Sequence, residues 1–338
     1  MLNYEENDMV MIPMALNAFY NNIPRGTKKI IYTKTVSISE EFLNVVLEYI
    51  SASSEGKYIM IDMQNSDYAF RLFEKFQDIT KPIIFVNINS EILRNKMKEN
   101  IPGIQMSANE NNGVINMMYD NTVESICTKY AEKISHKIYV DIVKDLIDEV
   151  SQNPIQPYRL DSSGLYSNMY VNVKRLFLYP EKYYAVVFGL AQKIADAGVE
   201  YDGFISSSKN GAILANLLGM LLDKKTIHVM GLGPKYSMNI GNVQREIKKR
   251  KNYIYVFDFR CTGTEMKLLS ALVNANDAYI QGAVGIAIYK TEESDAADKR
   301  MFYLVDIRKE GIPYKIAGEE KDIVSLIDMQ KREEYDYK

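Results

Sequence analysis

Tryptophan is absent, and cysteine and histidine occur twice each, as Cys127 and Cys261 and as His136 and His228. So few thiols exclude a disulfide framework and a multi-thiolate zinc site, and they fit a reducing cytoplasm. No apolar run approaches the roughly 20 residues that span a bilayer. Met1 to Asp8 is acidic and polar, whereas a secretory leader is basic and then apolar. A soluble, cytoplasmic protein without membrane contact is therefore expected. Positive charge is not in excess either: 41 Lys and Arg stand against 44 Asp and Glu, a net charge of −3. No global field gathers nucleic acid, so an anion has to be bound by a local site. What is present is an ordinary globular balance, 47% hydrophobic and 25% charged over 338 residues. That is enough chain for two domains of ~100–200 residues each.

The first third reads as alternating strands and helices. Lys28 to Thr35 is a short β-rich run, and Ser37 with Glu40 makes a capping box ahead of Phe42, Val45, Val46, Tyr49 and Ile50 at helical spacing. Tyr58 to Asp62 is a second strand, Ala69, Phe70, Phe73 and Phe76 mark a helical face, Pro82 to Asn87 is a third strand, and Glu91 to Glu99 a helix. Short helices between strands favour parallel pairing. The arrangement resembles STAS-type regulatory domains. From Asn121 to Val150 the positions Ile126, Tyr130, Ile134, Ile138, Ile142, Leu146 and Val150 form a helical stripe that closes this domain. Ser151 to Pro157, with two prolines among polar residues, reads as a linker, which places the boundary near residue 152.

A second α/β sheet follows: helix Glu181 to Ala197, strand Gly203 to Ser206, helix Gly211 to Leu222, strand Thr226 to Met230, strand Tyr253 to Asp258, helix Glu265 to Asn274 and strand Ala283 to Tyr289. The expected fold class is α/β with two domains, 1–152 and 153–338. Within the second, Tyr253 to Met266 (YIYVFDFRCTGTEM) runs from a buried strand through Asp258 into the small-residue turn Cys261-Thr262-Gly263-Thr264, which opens a helix. Backbone N–H groups and the helix dipole there favour an anion, although a plain strand-to-helix turn capped by threonine has the same look. Gly203 to Gly219 repeats the pattern, with Ser206, Ser207, Ser208, Lys209 and Asn210 at the strand's carboxyl end ahead of Gly211. Neither segment matches the Walker or GxGxxG patterns. Two such loops imply a ligand with two phosphate groups, bound beyond the carboxyl ends of the strands.

A third segment, Leu160 to Lys174 (LDSSGLYSNMYVNVK), carries Ser163, Gly164 and Ser167 ahead of Tyr170 and Asn172. In chain order, 160–174, 203–219 and 253–266, the three segments resemble the hood, pyrophosphate loop and PRPP loop of type I phosphoribosyltransferases, most of all orotate phosphoribosyltransferase, over roughly residues 158 to 308. The resemblance implies that Cys261, Thr262, Gly263 and Thr264 hold the 5′-phosphate of phosphoribosyl pyrophosphate (PRPP) and that Asp258 takes the ribose hydroxyls. It implies that Ser208, Lys209, Asn210 and Gly211 meet the pyrophosphate, and that Ser163, Gly164, Tyr170 and Val171 frame the base. Lys235, in the Gly-rich stretch Gly231 to Gly241, stands where that family has a mobile catalytic loop and would neutralise the leaving pyrophosphate, with Mg²⁺ as cofactor. A homodimer is implied as well.

The departures bear on activity. Phe257 stands in place of the first of two adjacent acids, Arg260 and Cys261 replace smaller residues and a threonine, Ser162 replaces a lysine against orotate, and Glu265 adds a negative charge beside the phosphate loop. Two functions follow. One is Mg²⁺-dependent transfer of phosphoribose between PRPP and a pyrimidine or other nitrogenous base. The other is a catalytically inactive sensor of PRPP or a nucleoside monophosphate, with the first domain passing the signal to a protein partner, as in bacterial defence or stress. Elsewhere, Lys248 to Lys251 reads as a solvated basic run, His228 as structural, and Cys261 either as a stand-in for threonine or as a thiol activated at a helix N-terminus.

Overall fold

The computed structural model describes residues 1–6, 9–21, 35–52, 58–67, 75–76, 83–88, 105–107, 115–118, 134–149, 157–160, 165–229, 246–289 and 300–317. Among these residues the chain forms two compact units that divide between Tyr139 and Val140. The sequence features expected at 28–34, 91–99 and 151–156, and the boundary near 152, lie outside the described residues.

In the first unit, β1 (Tyr4–Glu6), β2 (Met9–Pro13), α1 (Met14–Asn21), β3 (Val36–Ser37), α2 (Glu40–Ala52), β4 (Tyr58–Asp62), β5 (Ser66–Asp67), β6 (Ile83–Ile88), β7 (Gln105–Ser107) and β8 (Ile115–Met118) follow in order. The main sheet runs β1-β2-β4-β6-β8-β7. Its centre, β2-β4-β6, is parallel as the strand and helix spacing implies, while β1, β8 and β7 add antiparallel edges. Helix α2 buries Phe42, Leu43, Val46 and Ile50, one stripe at helical spacing. Its cap corrects the expected one. Ser39, not Ser37, precedes the first helical residue, and its Oγ accepts from the Phe42 N–H at 3.2 Å, whereas Ser37 belongs to β3. Val45 is likewise exposed, at 45%, on the outer face. At the carboxyl end of β4, Asp62 is buried and its carboxyl is pushed up to about 6 by desolvation, against hydrogen bonds from Asn87 and the Gln64 N–H.

The division falls within α3 (Ile134–Leu146), which leads into β9 (Ile147–Glu149), the first strand of the second unit. The helical stripe read to Val150 thus ends at Leu146. Residues 147–149 instead pair antiparallel with Met169–Val171, so a tertiary partner overrides local propensity. Then come β10 (Tyr158–Arg159), β11 (Tyr166–Ser167), β12 (Met169–Val171), α4 (Pro180–Ala197), β13 (Gly203–Ser206), α5 (Lys209–Leu222), β14 (Lys225–His228), β15 (Asn252–Arg260), α6 (Thr264–Asn274), β16 (Tyr279–Ile288), β17 (Met301–Asp306) and β18 (Ile316–Ala317). The core sheet has the order β14-β13-β15-β16-β17 and is parallel throughout. Helix α5 packs on β13 and β15, α4 on β16, β17 and α5, and α6 on β16. Gly211 permits the close approach of α5, because a Cβ there would lie 2.8 Å from the Val256 carbonyl oxygen.

The strand order contains a reversal. From β13 the chain moves outward through α5 to β14, and from β15 it moves the opposite way through α6 to β16. The carboxyl ends of β13 and β15 therefore flank a topological switch point, where the two departing loops diverge and leave a crevice.

Candidate functional site

A cavity of about 300 Å³ lies at this switch point. Its lining brings together three segments far apart in the chain: Ser208 and Asn210 after β13, Asp258 to Met266 from the end of β15 into α6, and Tyr158, Leu160, Met169, Tyr170 and Val171 from the stretch of short strands before α4. Tyr255, Phe257 and Tyr314 complete it. Strand β11 pairs with β10 and β18, and buried Asn168 ties that layer to the segment Pro313 to Lys315. Its Oδ1 accepts from the Lys315 N–H at 2.6 Å and its Nδ2 donates to the Pro313 carbonyl at 2.8 Å.

One end of the cavity is polar. Asn210 Nδ2 donates to Asp258 Oδ2 at 2.9 Å, Ser208 Oγ lies 3.4 Å from Asp258 Oδ1, and Ser208 Oγ in turn accepts from the Gly211 N–H at 3.0 Å, capping α5. The N-terminus of α6 has no side-chain cap, and Gly263 sits there at φ 72°, in the left-handed region that glycine adopts without strain. A Cβ on Gly263 would also stand 2.8 Å from the Arg260 guanidinium, which packs against this turn. Thr262 and Thr264 share a hydroxyl hydrogen bond of 3.0 Å. Glu265 Oε2 accepts from Ser207 Oγ at 3.0 Å, and Tyr255 OH lies 3.1 Å from Ser207 Oγ. Burial, reinforced by the Glu265 charge, pushes the Tyr255 hydroxyl up, so it stays a protonated donor.

The other end is aromatic. The rings of Tyr158 and Tyr170 stand 4.7 Å apart, and Tyr314 stacks at a tilt on Tyr289 and edge-on against Phe259. Cys261 lies between the two ends. Burial pushes its thiol up to about 12, opposed in part by a hydrogen bond with Tyr314. This corrects the activated-thiol alternative: desolvation outweighs the helix N-terminus, and Cys261 acts as a small neutral residue.

Of the residues singled out in the sequence, Asp258, Cys261, Thr262, Gly263, Thr264, Ser208, Asn210, Tyr170 and Val171 line the cavity. Gly211 is buried in α5, where its amide serves the Ser208 cap, and Lys209 is exposed at the start of that helix, outside the lining. Ser163, Gly164 and Lys235 lie outside the described residues. No local pattern in the sequence connects Tyr158 and Tyr314 with this site, and Ser207 reads there only as a polar loop residue, without its bond to Glu265. The basic run is partly neutralised, with Lys249 3.3 Å from Asp277 and Lys251 2.7 Å from Asp202. His228, between Ser206 Oγ and Asn216 Oδ1 at 3.0 Å each, is shifted down by desolvation and has a structural place. Among the described residues no helix is long and apolar enough to cross a membrane.

About half of the chain is similar to solved phosphoribosyltransferases. An orotate phosphoribosyltransferase from Aeropyrum pernix shares 16% identity over 51% of this chain and 99% of its own, with a TM-score of 0.39. An adenine phosphoribosyltransferase from Thermoanaerobacter pseudethanolicus shares 12% over 49% and 99%, with a TM-score of 0.39. The orotate enzyme from Mycobacterium tuberculosis shares 16% over 53% and 99%, with a TM-score of 0.36. No family model and no curated protein matches the chain.

Proposed function

We propose that the second unit binds a phosphoribosyl ligand, PRPP or a nucleoside monophosphate, at the switch point between β13 and β15. The observation that supports this reading is the convergence on one cavity of an acid, an uncapped helix N-terminus and a pair of tyrosine rings. Asp258 accepts from the ribose hydroxyls, the turn Thr262 to Thr264 and the α6 amides hold a phosphate, and Tyr158 and Tyr170 flank a planar base. In the transferase form of the reading, a base nitrogen bonds to ribose C1 while the bond from C1 to pyrophosphate breaks. Positive charge develops on the sugar as negative charge leaves, and cations aimed at the leaving group supply most of the stabilisation. Mg²⁺ is commonly held by one or two carboxylates together with phosphate oxygens, and Asp258 in the lining provides a hard oxygen donor of that kind. Among the described residues no cluster of three or more ligating side chains forms a metal cage.

Phe257 favours the second reading, sensing without turnover. The position of a second acid is taken by a ring that is 2% exposed in the core, so the site holds its ligand with less help for the departing charge. Calorimetric titration of PRPP, with and without Mg²⁺ and repeated with Thr264→Ala, tests the binding claim. Micromolar affinity that the variant loses is the expected result, and no heat from PRPP or from any nucleoside monophosphate refutes it. Pyrophosphate release over a panel of bases then separates transfer from sensing.

A further inference from the structure

The hydrogen-bonding side chains of the β13 loop are already engaged by acids of this chain. Ser208 and Asn210 point at Asp258, and Ser207 gives its hydroxyl to Glu265, whose Oε2 also has Tyr255 OH at 3.5 Å. Glu265 is the second residue of α6, inside the turn of helix where the dipole favours negative charge. The described lining holds two carboxylates, Asp258 and Glu265, against one guanidinium, that of Arg260.

We propose that Glu265 is a built-in competitor for the ligand's 5′-phosphate. Its carboxylate stands on the first turn of α6, beside the uncapped amides, and draws the hydroxyls of Ser207 and Tyr255 onto itself. A dianionic phosphate entering this partly desolvated cavity meets a like charge that the bound hydroxyls hold in place. An alcohol at the same position meets no such repulsion and donates to the carboxylate. The inference rests on the reading of the cavity as a phosphoribosyl site and adds a rule of selectivity to it. The cradle distinguishes poorly between a ribosyl ligand and its 5′-phosphorylated counterpart, and the residue responsible is Glu265.

The experiment compares AMP with adenosine and UMP with uridine, alongside PRPP, by calorimetry on the full chain. Wild type, Glu265→Gln and Glu265→Ser are measured, with thermal melts to confirm folding, and Ser207→Ala removes a donor while keeping the charge. In wild type, each monophosphate is expected to bind within about threefold of its nucleoside. Both Glu265 variants are expected to bind the monophosphates and PRPP at least tenfold tighter with nucleoside affinity little changed, and Ser207→Ala is expected to show no such gain. An unchanged ratio of monophosphate to nucleoside affinity in both Glu265 variants, with Asp258→Asn still weakening every ligand, overturns the role of Glu265 and leaves the phosphoribosyl reading standing. If no ribosyl ligand binds to wild type or to either Glu265 variant, the phosphoribosyl reading fails and this inference fails with it.

Discussion

The ring of Phe257 fills the space that a side chain on Gly285 would occupy. The two are paired across β15 and β16, and a Cβ added to Gly285 would overlap the ring. Phe257 belongs to the cluster formed with Leu269, Leu272 and Val273 of α6. It is therefore part of the support beneath the helix whose N-terminus faces the cavity, while its neighbour Asp258 carries the polar function. An acid at position 257 would be buried in that cluster, at a cost in desolvation.

Gly285→Ala is accordingly expected to destabilise the second unit by ~1–3 kcal/mol, the usual cost of overpacking. Phe257→Leu should restore room, so the double variant should be more stable than the sum of the two single losses predicts. Urea denaturation of the four proteins measures this, and simple additivity would show that ring and backbone do not compete for the same space.

The bond from Asn210 to Asp258 joins the loops on either side of the switch point. Asn210→Ala leaves the half-buried carboxylate with one donor fewer and frees the loop. A roughly tenfold weakening of PRPP affinity is expected, in line with a charge-assisted hydrogen bond. In a double-mutant cycle with Asp258→Asn the two losses should not add, and full additivity would mean that the bond does not position the acid.

At pH 8, Cys261 should react with iodoacetamide more than ~100-fold more slowly than a free thiol, because a pKa near 12 leaves little thiolate. Mass spectrometry of the peptide that contains Cys261 reads this out. Rapid labelling would contradict its burial beside Tyr314.

Asp62 links stability to pH in the first unit. Its folded pKa of about 6 lies above the ordinary 3.8, so the folded state binds the extra proton between these values. The protonated carboxyl favours folding fully below about pH 4, and that contribution is lost as pH rises through 6. The change amounts to about 3 kcal/mol at 1.36 kcal/mol per pKa unit. Asp62→Asn, which keeps an oxygen for Asn87 and the Gln64 N–H, should flatten the profile and raise the melting temperature at pH 7. An unchanged pH profile in the variant would assign the effect to another group.

Much of the sheet framework could be read directly from the chain. Tyr58–Asp62 and Gly203–Ser206 fall where their apolar runs place them, and α5 and α6 begin within two residues of the expected starts. These features depend on neighbours a few residues apart, as do the polar loop at Ser208 to Asn210 and the glycine turn at Gly263. Which strand lies beside which is not local. The order β14-β13-β15-β16-β17, with its reversal between β13 and β15, arises from long-range pairing, and it alone turns two separate loops into one cavity. The same packing sets Tyr158 and Tyr314 in one wall, withdraws the Cys261 thiol from reactivity and aims Ser207 at Glu265. The sequence by itself determined which residues are able to hold an anion. Only the tertiary structure decided which of their hydrogen bonds are already engaged, because desolvation and side-chain partners exist only once distant segments are packed together.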